Sequence, residues 1–128
     1  MRKYSKKGLE KRREERKDFP AFFQKHIAEI KSTKARCAEC GDRLFGDVSE
    51  VAHILEKSKF KSISTDDENV IYLCGWKSKN NCHGKFDNSS NEVVQEMKIY
   101  QDLLPVVRLL KEKIDEKVNY KFYDKWQV

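Results

Sequence analysis

At 128 residues the chain has room for one domain, or for a compact core with helical extensions. Its 38% hydrophobic content and mean hydropathy of −0.84 imply a small core that needs a staple. No apolar run approaches the roughly 18 residues of a membrane span, and the charged first twenty residues argue against a signal peptide, so a cytoplasmic protein with no membrane partner is expected.

The formal charge of +6 is unevenly placed. Residues 1–36 carry 13 Lys and Arg against 5 Asp and Glu, a net of +8, while the remainder carries 14 against 16, a net of −2. A basic arm that binds a polyanion is therefore expected over 1–36. Within it, residues 7–17 read as a charged, solvated helix bearing Arg12, Arg13 and Arg16. Asp18 offers an N-cap, with Pro20 in the first turn, for a helix over 19–32 with Phe19, Phe22, Phe23, Ile27 and Ile30 on one side. Continuity of the two helices through Pro20 is open. His26 has no evident partner and takes no functional role.

From Arg36 to Leu44 the chain reads as a tight metal knuckle, with Gly41 after the Cys37-x2-Cys40 pair. Residues 48–55 and 69–74 read as strands separated by a polar loop, and Asn81 to Asp87 as a short helix. In a reducing compartment Cys37, Cys40, Cys74 and Cys82 favour one structural zinc over two disulfides. Zinc imposes ligand number and geometry, so the longer Cys74 to Cys82 spacing still permits a closed cage.

A lone histidine in a strand reads as structural. His53 has companions, however: Asn69 before the next strand, then His83 and Asp87, four apart on a helix and able to share a cation. Beyond the polar break at Asp87–Asn91, apolar residues from Val93 to Ile114 recur at helical spacing, with Pro105 expected to kink or split the run. This 91–128 extension is expected to pack on the core, with a homodimer through its helices as the other reading. The aromatic-rich tail has no assignment.

The segment from Cys37 to Asp87 resembles the His-Asn-His (HNH) endonucleases of the ββα-metal superfamily, in particular small bacteriophage and prophage types similar to NinG/Rap and YbcO nucleases. The resemblance implies an α+β fold: a zinc-stapled ββα-metal core over 37–90, with a basic helical arm before it and a helical extension after it. It implies that His53 is the general base, that Asn69 orients the loop and the base, and that His83 and Asp87 bind a catalytic Mg²⁺ or Mn²⁺. Many members carry a metal-binding residue where this chain has Ala52; Glu50 or a water would have to substitute. Lys57, Lys59, Lys61, Lys77, Lys79 and Lys85 lie near these residues in sequence and suit phosphate contacts without base readout. The expected function is metal-dependent hydrolysis of DNA, with RNA left open, in phage-type recombination or DNA processing. The alternative is a non-catalytic zinc-containing DNA-binding or recombination accessory module.

Overall fold

A computed structural model describes residues 18–128, so the charged helix expected over 7–17, with Arg12, Arg13 and Arg16, lies outside the described residues. Helix α1 spans Phe19–Thr33, and Pro20 sits in its first turn, where an N–H would have no helical partner. Phe22, His26 and Ile30 recur every four residues and form its buried face. Asp18 makes no side-chain cap; its own backbone is near-helical, and its carbonyl accepts from the Phe22 N–H at 3.0 Å. The helix stops at Lys34, whose left-handed backbone (φ 52°, ψ 47°) turns the chain into the knuckle. There Arg36 and Arg43 pair as an antiparallel bridge. Gly41, at φ 79°, donates to the Cys37 carbonyl at 2.9 Å and supplies the conformation this turn needs.

The strands are shorter than expected. β1 is Val51–His53 and β2 is Val70–Tyr72, antiparallel in the register Val51↔Tyr72, Ala52↔Ile71, His53↔Val70. Residues Val48–Glu50 form a 3-10 turn instead. Asp47 caps the Ser49 N–H, and the buried Glu50 carboxylate folds back onto the N–H groups of Phe45, Gly46 and Asp47. A carboxylate that satisfies three amides locally outcompetes strand pairing there. Another 3-10 turn, Asp67–Asn69, likewise takes Asn69 out of the second strand.

Helix α2 spans Cys82–Asn88, followed by α3 (Asn91–Glu96), α4 (Lys98–Lys113) and α5 (Tyr120–Lys125). Of the kink or split expected at Pro105, the split does not occur, since α4 runs through it. Pro105 and Gln101, whose carbonyl loses its helical donor, both face solvent, while Leu103, Val107 and Leu110 are buried on the other side. An interior proline costs about 3 kcal/mol. Burying three such side chains contributes roughly 1.5–3 kcal/mol each, so packing wins. The interruption falls at Met97, where Glu39 of the knuckle accepts from the Lys98 and Ile99 N–H groups at 3.0 and 2.9 Å and caps α4.

The result is an α+β fold with one two-stranded sheet among the described residues. A single buried cluster joins Ile30 of α1, Val51 of β1, Phe86 of α2, Val107 of α4 and Trp126 beyond α5. Among the described residues no helix is long and apolar enough to cross a membrane.

Candidate active site and cysteine cage

Cys37, Cys40, Cys74 and Cys82 place their sulfurs within 4.8 Å of one another, and all but Cys40 are buried. None forms a disulfide. The knuckle supplies the first pair, the chain leaving β2 supplies Cys74, and the first residue of α2 supplies Cys82. The Cys40 and Cys74 sulfurs lie 3.7 Å apart, and two thiolates on one tetrahedral zinc would be separated by about 3.8 Å. Amides of Cys40 and Cys82 donate to the Cys37 and Cys74 sulfurs at 3.5 and 3.2 Å. Burial pushes the Cys74 and Cys82 thiols up, while at Cys37 burial is outweighed by amide donation and the thiol lies below its ordinary value. The four cysteines can hold one metal ion.

His53 ends β1, half-buried, with its ring against those of Phe22 and Phe23. Its Nε2 lies 2.7 Å from the Ser64 carbonyl oxygen. A carbonyl only accepts, so Nε2 carries the proton and Nδ1 of the neutral ring carries the lone pair. Burial holds this imidazole below its ordinary value; the Ser64 bond opposes that shift and the Lys57 cation adds to it. Asn69 is fully buried. Its Oδ1 accepts from the Leu55 N–H at 2.7 Å, and its Nδ2 donates to the Leu55 and Ile63 carbonyls at 2.9 and 3.4 Å. It therefore pins both ends of the 55–63 loop, beside the Ser64 carbonyl that orients His53.

Helix α2 is capped by Asn81, which has a left-handed backbone and whose side chain accepts from the Gly84 N–H. The His83 N–H donates to the Cys74 carbonyl at 3.0 Å, tying the helix start to the cage. His83 Nδ1 donates to the Ser49 carbonyl at 2.5 Å. Gly75 abuts Ser49 so closely that any Cβ would collide with the serine side chain, so this close approach requires glycine. Nε2 is left facing Asp87 Oδ2 at 2.9 Å, one turn along α2. That bond holds the His83 imidazole above its ordinary value, against the effect of burial. Two cation-binding atoms thus converge on one point, suited to a proton or a divalent ion. Ala52 is fully buried and has no ligand atom. Glu50 is no substitute: its carboxylate is committed to the turn amides, and it lies outside the strand that was expected to present it.

His53, His83 and Asp87 line one pocket of about 420 Å³, together with Lys57 and Lys125. The Lys57 Nζ lies 5.5 Å from the Phe19 and Phe23 ring centres. Lys125 lies over the Phe86 and Trp126 rings at 5.1 and 5.6 Å. Of the other expected phosphate contacts, Lys59 pairs with Glu56 and Lys77 with Asp47, each at 3.5 Å. Lys61, Lys79 and Lys85 are exposed and lie outside this pocket. Lys125 carries no signal in the sequence, because only the folded tail brings it to His53. His26 does have partners: Nδ1 lies 2.6 Å from the Tyr72 hydroxyl and Nε2 2.9 Å from Asp67, and the tyrosine in turn donates to Glu29 at 2.7 Å. This relay braces α1 against β2 away from the site. No protein-family model, curated protein or solved structure matches the chain.

Proposed function

We propose that this chain is a zinc-stapled, divalent-metal-dependent endonuclease of the His-Asn-His type that hydrolyses DNA to 5′-phosphate and 3′-hydroxyl ends. One observation carries the reading. A neutral histidine with its lone pair set by a backbone carbonyl shares a pocket with a His–carboxylate pair that converges on one cation position. His53 Nδ1 takes the proton from the attacking water, which a base of lowered pKa can do near pH 7. Asn69 acts at a distance, as the positioning residue for the loop that holds Ser64. His83 and Asp87 would hold Mg²⁺ or Mn²⁺, which when bound supplies positive charge to the phosphorane and the departing 3′ oxygen. Lys57 and Lys125 present cations to the same pocket and suit the non-bridging phosphate oxygens. In the cage, four inward sulfurs of thiolate spacing fit zinc.

The second reading, a non-catalytic zinc DNA-binding module, is favoured by Ala52 alone, which removes a ligand without replacement. The deciding experiment incubates the purified chain with plasmid and branched DNA in Mg²⁺, Mn²⁺ or chelator, with elemental analysis of the protein for zinc. Metal-dependent nicking supports the nuclease; binding without cutting in every metal leaves the module.

A further inference from the structure

We propose that the C-terminal segment forms a phosphate groove that carries the DNA backbone away from the scissile position, an inference that rests on the nuclease reading and extends it. A cavity of about 590 Å³ adjoins the pocket of His53 and His83. Ile54, Glu56, Asp87 and Lys125 line both, so the two cavities adjoin, and on this proposal they serve as one channel with Lys125 at the junction. Beyond the junction the channel gains Lys59, Lys117 and Lys121.

The segment that bears these lysines is held firmly. Phe122 packs edge-on against Phe60, with ring centres 6.0 Å apart, and Trp126 stacks on Tyr100 at 5.5 Å. Gln95 donates to the carbonyls of Asp124 and Lys125 at 2.8 and 3.1 Å, and Asn119 caps the amides of Lys121 and Phe122. Lys121 and Lys125 are four apart on α5 and share a face.

Charge decides the occupant. Of the channel's acids, Glu56 already pairs with Lys59 and Asp87 with His83, leaving Asp124. Lys117 and Lys121 are exposed, and among the described residues neither has a carboxylate within ion-pair distance. Exposed, unpaired lysines beside a phosphodiester site match the next phosphates of the same strand. An acidic peptide would meet these lysines too, but it would have no reason to extend into the His53 pocket.

The test is fluorescence anisotropy of a short labelled DNA duplex, without added divalent cation, over a series of salt concentrations. The double variant Lys117→Gln/Lys121→Gln should bind about ten-fold more weakly, with a plot of log K against log salt shallower by about 1.8, the loss of two phosphate contacts. Lys98→Gln/Arg108→Gln, exposed but outside both cavities, should match the parent. Unchanged affinity and slope in the first variant, an equal loss in the second, or displacement of DNA by polyglutamate as effective as by unlabelled DNA would each overturn the groove. The two readings separate: a chain that cuts nothing but loses binding in the first variant keeps the groove and drops the nuclease. One that cuts and binds unchanged in that variant keeps the nuclease and drops the groove.

Discussion

Replacing Asn69 by alanine should destabilise the chain and silence it together. The side chain is fully buried and makes three hydrogen bonds, two of them to the N–H and carbonyl of Leu55 at 2.7 and 2.9 Å. The third, to Ile63 at 3.4 Å, is long and weak. Truncation leaves both Leu55 backbone groups buried without a partner, each costing about 1–3 kcal/mol, so a loss of about 2–4 kcal/mol is expected after partial relaxation. For a chain of this size that lowers the melting temperature by roughly 10 °C. Thermal unfolding by circular dichroism reads the first effect, and plasmid nicking well below the melting point reads the second. Nicking should fall even in the folded population, because the freed loop carries the Ser64 carbonyl that holds His53 in one tautomer. An alanine variant that melts within about 2 °C of the parent and cuts normally would refute the loop-pin argument, since two orphaned buried groups cannot be that cheap.

His53→Ala should lower cleavage by about 10²- to 10⁴-fold while DNA affinity in anisotropy stays near the parent's, because the imidazole moves a proton rather than holding phosphate; parental cleavage by this variant would remove the base from the mechanism. His83→Ala should also lose activity, yet raising Mn²⁺ should restore part of it, because Asp87 keeps one anchor while the base remains; equal rescue of His53→Ala would contradict the division of roles. The pH profile follows from signs. The base acts neutral and its pKa lies below the ordinary 6.5, so at saturating Mg²⁺ the rate should rise with pH to a half-maximum below about 6.5 and then level off. His83 lies above its ordinary value and must lose a proton to bind an ion, so at limiting Mg²⁺ the rise should move to higher pH. A half-maximum that does not move with metal concentration would show that His83 is not a ligand.

Residues that act through short-range spacing were legible before the fold was known. Cys37 and Cys40 announce their turn, and the four-residue step from His83 to Asp87 places both on one face of α2 wherever that helix packs. The shortened strand also has a local signal: Asp47 and Glu50 stand three apart, the spacing of a capping box, and that signal outweighs the alternation of 48–55. Other features depend on distant contacts that no local pattern encodes. Glu39 caps α4 from 59 residues away, His26 finds Asp67 and Tyr72 across 41 and 46 residues, and Lys125 reaches the pocket through contacts of its segment with Phe60, Gln95 and Tyr100. Pro105 does not split α4 for the same reason, since the buried residues around it decide the helix.

Cys82 and His83 are consecutive, and the His83 amide is bonded to the carbonyl of Cys74, another cage residue. One peptide unit therefore joins the cage to the His83–Asp87 pair. On the proposed reading, an ion on the four sulfurs would add to the Asn81 cap and the His83–Cys74 bond in fixing the start of α2, and so would firm the position that His83 and Asp87 share. On that reading the two metal positions are not independent, and a chain stripped of the ion in its cage would lose firmness at the second position along with the first.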